Sequence, residues 1–230
     1  MLDQAKLNRL RIQQTKLQRL AEQSDLIQVA PLEVVEGWPA EKYLVTYLCR
    51  SIVGIEANQQ PIFGERHELE LYLTNDYPNA EPHLKFRTPI WHPNISSQEP
   101  RKVCTNQVES WWVGKDLDEL VLVIGELLQY KSYHAKWEPP FPQDRDVAEW
   151  VLKYAEPNHI VGKEIPVDVR ELLKGWRIIQ RTTYVPPPAL QHHVQVLETR
   201  KILLGIQAAL HSEPAMGGNT KRITLGNQRA

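Results

Sequence analysis

The stretch "DLDELVLVIGELLQY", residues 116–130, limits what this chain can fold into more than any other. Leu117, Leu120, Val121, Ile124, Leu127 and Leu128 recur at i, i+3, i+4, i+7, i+10 and i+11, the spacing of one helix face. A helix this apolar has to be buried along most of its length, and a sheet is the surface expected to cover it. Asp116 ahead of it and Glu119 three residues later form a capping-box pattern that predicts its start. The sheet is foreshadowed upstream. "DLIQVAPLEVVEG" leads through a Gly-Trp-Pro turn to "KYLVTYLCRSI", where Tyr43, Val45, Tyr47 and Cys49 share one face and Leu44, Thr46 and Leu48 the other. "HELELYL" alternates with Leu69, Leu71 and Leu73 on one side, and "PHLKFRT" is a fourth short strand. Strands joined by short turns predict an antiparallel meander, hence an α+β fold with the sheet packed on the central helix.

The flanks add helices. Residues 3–23 carry an apolar stripe of Leu7, Leu10, Leu17 and Leu20, with Lys6, Arg9, Arg11, Lys16 and Arg19 around it. That basic surface is either a solvated face or a docking surface. Pro139, Pro140 and Pro142 interrupt the chain before another helix expected at about 143–155. Beyond residue 157 the character changes to a short proline-entered helix, a Pro186–Pro188 spacer, a helix over 190–211 and a polar tail from Glu213. The expected division is a core over 1–156, an extension over 157–185, a spacer and helix over 186–212, and a disordered tail over 213–230.

Composition excludes several classes of function. A net charge of −1 gives no reason to expect nucleic acid or an anionic membrane as partner. No apolar run approaches the ~20 residues that span a bilayer, and the N-terminus is charged from its third residue, unlike a signal peptide. The 2 cysteines lie in no CxxC motif, so neither a disulfide framework nor a metal site is expected, and a reducing, cytoplasmic setting is. Cys49, in mid-strand among aromatics, reads as a buried structural thiol.

Cys104 is different, because it closes a polar loop, "IWHPNISSQEPRKVC", that opens with His92-Pro93-Asn94. Taken in order, Tyr77-Pro78…Pro82, Phe86, His92-Pro93-Asn94, Cys104, Trp112 and the apolar helix over 117–130 resemble the ubiquitin-conjugating enzyme (E2) family across roughly residues 3–155. The resemblance implies the E2 (UBC) fold. It implies that Cys104 takes a ubiquitin-like protein from an E1-like activating enzyme as a thioester and passes it to a lysine of a protein substrate. A thiolate suits both steps, as nucleophile and then as leaving group. Asn94 would donate its amide N–H to the oxyanion formed during aminolysis, or would brace its own loop. By the same resemblance His92 and Pro93 hold the loop, Trp112 is a packing anchor near the site, and the basic residues of the first helix face the activating enzyme. No cofactor is implied, since ATP is used by that partner.

The chain departs from the family pattern in places. The Asn94–Cys104 loop is a couple of residues longer than is typical. Where many relatives carry an acidic residue that helps the incoming lysine, residues 129–142 offer no direct match, leaving His134, Glu138, Asp144 and Asp146 as candidates. Asn79-Ala80 and Val113-Gly114-Lys115 differ from sequences that commonly touch RING-type ligases, so the resemblance does not carry over a dependence on such a ligase. These departures make the chain more similar to E2-like proteins of bacterial ubiquitin-like conjugation operons, some linked to anti-phage defence. Two other readings remain: an inactive E2-variant or RWD-like binding module, and a cysteine hydrolase pairing Cys104 with His67, His83, His92 or His134.

Overall fold

The computed structural model describes residues 4–104 and 111–162. The expected spacer, the helix at 190–211, the tail and all but the first residues of the 157–185 extension lie outside the described residues. Helix α1 (Gln4–Gln23) is followed by strands β1 (Ile27–Pro31), β2 (Lys42–Tyr47), β3 (Ser51–Ile55), β4 (Pro61–Gly64), β5 (His67–Tyr72) and β6 (His83–Phe86). Helix α2 (Leu117–Leu128) and helix α3 (Arg145–Trp150) complete the frame, α3 continuing as a π-turn over Val151–Ala155.

A four-stranded antiparallel sheet has the order β1-β2-β5-β6, and β3 and β4 pair as a separate ribbon. The expected meander is therefore present, but its second segment is not one strand. It breaks at Leu48–Arg50, and the third segment has an additional strand ahead of it, β4. The break has a physical cause. His67 is fully buried, and its Nε2–H donates to the Cys49 carbonyl at 3.0 Å, which withdraws that carbonyl from the ladder. Burial pushes the His67 imidazole down, which keeps it neutral there.

The alternation read from sequence holds where it was cleanest. Leu69, Leu71 and Leu73 are all fully buried, as are Tyr43, Val45 and Tyr47 on the neighbouring β2 and Cys49 in the break after it. They share one apolar core with α1 and α2, and the Tyr47 hydroxyl donates to the Val121 carbonyl of α2 at 2.9 Å. Val121, Val123, Ile124 and Gly125 are mediocre helix formers, each costing up to ~1 kcal/mol against alanine. Burial of a leucine contributes roughly 1.5–3 kcal/mol, so tertiary packing decides that this segment is a helix. A second apolar cluster joins Ile52 of β3, Tyr130, and Val147, Trp150 and Val151 of the last helix.

The start of α2 corrects the capping-box expectation. Asp116 occupies the cap position but makes no side-chain cap bond. Its carboxylate instead accepts from Gln13 Nε2 at 2.8 Å and pairs with Lys16 and Arg9. The cap is supplied from α1: Gln13 Oε1 accepts the Leu117 N–H at 2.7 Å. Gln13 is fully buried in the apolar stripe between Leu10 and Leu17. A polar residue in that stripe was the signal that could have been read. The helix also stops at Leu128, short of the expected 130, where Tyr130 turns the chain with a φ of 52°.

Candidate active site

The His-Pro-Asn turn is built from backbone bonds in which each residue has a distinct task. His92 is fully buried, and its Nδ1 accepts the Asn94 N–H at 3.1 Å, which places the ring proton on Nε2. Burial pushes this imidazole down to about 3, against a smaller opposing pull from the Ser132 backbone, so the ring is neutral and serves the loop rather than the chemistry. The Tyr130 ring lies 4.6 Å from it, and the Tyr130 hydroxyl donates to the Trp91 carbonyl. These contacts hold Tyr130 in the left-handed region, which a residue with a Cβ enters only when its surroundings fix it there. The Pro93 carbonyl accepts the N–H groups of Gln143 at 2.8 Å and Asp144 at 3.0 Å, tying the turn to the start of α3.

Asn94 is 1% exposed and meets two segments at once. Its carbonyl accepts the Cys104 N–H at 2.9 Å, and its Oδ1 accepts the His134 N–H at 2.9 Å. The residues between Asn94 and Cys104 fold as a hairpin: Ile95 bridges Val103, and the Ser96 N–H donates to the Lys102 carbonyl at 3.0 Å. The same strand end is also held to the sheet, with the Phe86 N–H donating to the Arg101 carbonyl at 3.0 Å. The loop ends in an exposed tip around Gln98–Pro100, and Cys104 stands opposite Asn94 in register. Cys104 is 7% exposed. Cys49 is 2% exposed with its thiol pushed up to about 12 by burial, the condition of an inert structural cysteine.

The remaining predicted residues separate into different roles. His134 borders Asn94, and its ring stacks on Phe141 at 4.3 Å. It lines a cleft of about 490 Å³ together with Tyr133, Glu138, Glu156 and His159. Glu138 is exposed on the rim. Asp144, expected near the acceptor amine, is a brace: one oxygen caps α3 through the Val147 N–H at 3.2 Å, and the other accepts the N–H (2.9 Å) and hydroxyl (2.6 Å) of Ser97. Asp146 is exposed in the first turn of α3, away from these bonds. Trp112 is 60% exposed and is not the packing anchor. Its neighbour Trp111 takes that place, its ring 5.9 Å from Tyr77 and its Nε1–H donating to the Pro78 carbonyl at 2.9 Å. Two adjacent tryptophans give the sequence no means of choosing between them.

On α1 the basic residues are also divided. Lys6 donates to the Thr74 and Asn75 carbonyls and pairs with Glu41, while Arg9 and Lys16 pair with Asp116. Among the described residues Arg11 and Arg19 hold no ion pair, and Arg11 is exposed. Among the described residues no group of three or more His, Cys, Asp or Glu is placed to hold a metal ion. No helix among them is long and apolar enough to cross a membrane.

This geometry can be set beside known proteins. The family model described as ubiquitin-conjugating enzyme matches residues 19–150, more than half of the chain. The chain belongs to the ubiquitin-conjugating enzyme family. The α+β architecture, a four-stranded antiparallel sheet with its helices, is the UBC fold of that family. Human ubiquitin-conjugating enzyme E2 K is 35% identical over 88 residues, which is 38% of this chain and 41% of that protein. Drosophila melanogaster E2 N is 33% identical over 101 residues, covering 43% of this chain and 62% of that protein. The solved E2 domain of a Toxoplasma gondii ubiquitin conjugating enzyme is 22% identical with a TM-score of 0.45, covering 65% of this chain and 88% of that one. The chain spans about two-fifths of the length of the first curated relatives it matches.

Proposed function

We propose that this family member is an active E2 that carries a ubiquitin-like protein on Cys104 and delivers it to a lysine. The Cys104 thiolate attacks the thioester held by an E1-like activating enzyme, and a new sulfur–carbonyl bond forms as the partner's thiol leaves. ATP is consumed by that partner and not by this chain. A lysine amine then attacks the carbonyl, and the oxyanion collapses with release of the Cys104 thiolate while the amine proton passes to solvent or a base. Asn94 supplies an amide N–H to the oxyanion, a contribution typically of about 10²–10³ in rate. The observation that supports this reading is the register of Asn94 against Cys104, with the Cys104 N–H on the Asn94 carbonyl at 2.9 Å.

Arg11 and Arg19 are the proposed contacts for the activating enzyme, since Lys6, Arg9 and Lys16 are engaged within the chain. The carried protein being that of a bacterial conjugation operon rests on the departures at Asn79-Ala80 and Val113-Gly114-Lys115 alone; the relatives named above are eukaryotic and add nothing to it. The test is a charging reaction with a cognate activating enzyme, ATP and a ubiquitin-like protein, resolved on gels with and without reducing agent. A DTT-sensitive adduct that persists in Cys49→Ala and vanishes in Cys104→Ala is expected. No adduct from a competent partner set would replace this reading with the binding module, and ATP-independent cleavage of a preformed conjugate would replace it with the hydrolase.

A further inference from the structure

The bond between Asn94 and the His134 backbone has a consequence for the His134 ring. Because Oδ1 accepts the His134 N–H at 2.9 Å, the orientation of the Asn94 carboxamide is decided: its nitrogen faces the other way. That nitrogen lies 3.4 Å from Nδ1 of the same histidine. An amide NH₂ only donates, so a bond across this gap needs a lone pair on Nδ1. The neutral ring with its proton on Nε2 provides one; the imidazolium puts an N–H against an N–H. The ring is held in place, so the carboxamide evades the clash only by rotating. The ring is stacked on Phe141 with an interplanar angle of 15°, and Asn94 is 1% exposed, so water does not substitute for a lost partner.

We propose that His134 is a positioning residue: while neutral it fixes the Asn94 carboxamide through both its backbone N–H and its Nδ1, and when protonated it turns that amide away from the reacting carbonyl. One amide hydrogen is held by Nδ1 and the second is left to donate to the oxyanion. The groups facing His134 come from three sides. His92, on the turn, is buried and neutral. Lys136 and Glu138 follow it in its own loop, while Glu156, bonded to the Tyr133 hydroxyl at 2.7 Å, and His159 close the cleft from the other side. The consequence for transfer rests on the activity proposed above; the assignment of the amide to the ring does not.

Two measurements on the full chain separate these. In ¹⁵N-labelled protein the Asn94 side-chain NH₂ pair, assigned by its loss in Asn94→Asp, is followed from about pH 8 to about pH 5, across the range where histidines commonly titrate. It is expected to shift with a single proton in the wild type and to stay flat in His134→Asn, whose Oδ1 stands near the Nδ1 position and cannot be protonated there. A pair that does not move in the wild type, or moves identically in His134→Asn, overturns the assignment. In single-turnover discharge of the Cys104 thioester to free lysine, with each rate divided by the fraction of unprotonated amine, the wild type is expected to slow on the acid side while His134→Asn does not. His134→Leu is expected to lose about fivefold against the wild type near pH 8, the worth of one neutral hydrogen bond, and the gap is expected to close on the acid side. Equal acid limbs in wild type and His134→Asn overturn the role in transfer. Absence of any thioester overturns the E2 reading instead, and the NH₂ titration still decides the assignment.

Discussion

Replacing Asp144 with alanine is expected to detach the Cys104 loop from α3 and to destabilise the fold. One carboxylate oxygen caps α3 through the Val147 N–H at 3.2 Å, and loss of such a cap costs about 1 kcal/mol. The other oxygen accepts two donors from Ser97, at 2.9 and 2.6 Å, and bonds to a charged acceptor are worth about 1.5–3 kcal/mol each. Ser97 and Asp144 are only partly buried, so water recovers part of that loss, and neighbouring bonds do not add. A total of about 2–3 kcal/mol follows, or roughly 4–12 °C in Tm for a chain of this size. Asp144→Ser should lose about half as much, because a serine hydroxyl still caps α3 but is too short to reach Ser97. Urea midpoints of the three proteins measure this. An alanine variant as stable as the wild type, or a serine variant no better than alanine, would refute the brace. So would Asp144→Asn that folds with wild-type stability, charges normally and fails to discharge to lysine, since that would restore Asp144 as an acid or base for the acceptor.

Trp111→Ala should cost about 2–3 kcal/mol, somewhat below the range for fully buried tryptophans, because its ring packs on Tyr77 and its indole N–H bonds the Pro78 carbonyl. Trp112→Ala, at a ring 60% exposed, should stay within about 0.5 kcal/mol of wild type; urea titrations reversing this order would return the anchor role to Trp112. The buried neutral histidines predict acid sensitivity with a definite sign. The unfolded chain binds a proton at His92 near pH 6.5 and the folded chain only near pH 3, so stability falls as pH drops between them, by up to about 1.4 kcal/mol per pH unit. A urea midpoint that is flat from about pH 6.5 to about pH 4.5, or a His92 ring that titrates near pH 6 in the folded protein, would contradict the burial argument.

The parts of the fold legible in the sequence were those set by one repeating pattern. The alternation of Leu69, Leu71 and Leu73 and the helical spacing from Leu117 to Leu128 both report burial on one side, and burial is what the core enforces. What was not legible depends on a residue far away in the chain. Asp116 with Glu119 looks like a cap until Gln13, 104 residues before Leu117, supplies the acceptor instead. "KYLVTYLCRSI" looks like one strand until His67 takes the Cys49 carbonyl. Asp144 reads as an acid or base candidate, and nothing near it in the chain announces the bonds its second oxygen makes to Ser97, 47 residues before it. In the candidate site, the proximity of Asn94 and Cys104 is foreshadowed by the order of motifs, since both close the same polar loop. The contact of His134 with Asn94 is not, because the left-handed turn at Tyr130 that brings it there has no glycine to announce it.

The geometry of the loop predicts that it would tolerate extra length at its tip. Asn94 and Cys104 are brought together by main-chain groups that nearly any residue supplies: the Ile95–Val103 bridge, the Ser96–Lys102 bond and the Cys104 N–H on the Asn94 carbonyl. A couple of residues added at the tip lengthen a loop that is already closed, and loop-closure entropy grows only with the logarithm of length, here by about 0.2 kcal/mol. The Phe86–Arg101 bond on one side and the Asp144–Ser97 bonds on the other hold the two arms of the hairpin against separate elements. The position of Cys104 is thereby set by the sheet and by α3 together. Sequence change between Gln98 and Pro100 reaches neither anchor, whereas loss of Asp144 releases one of them.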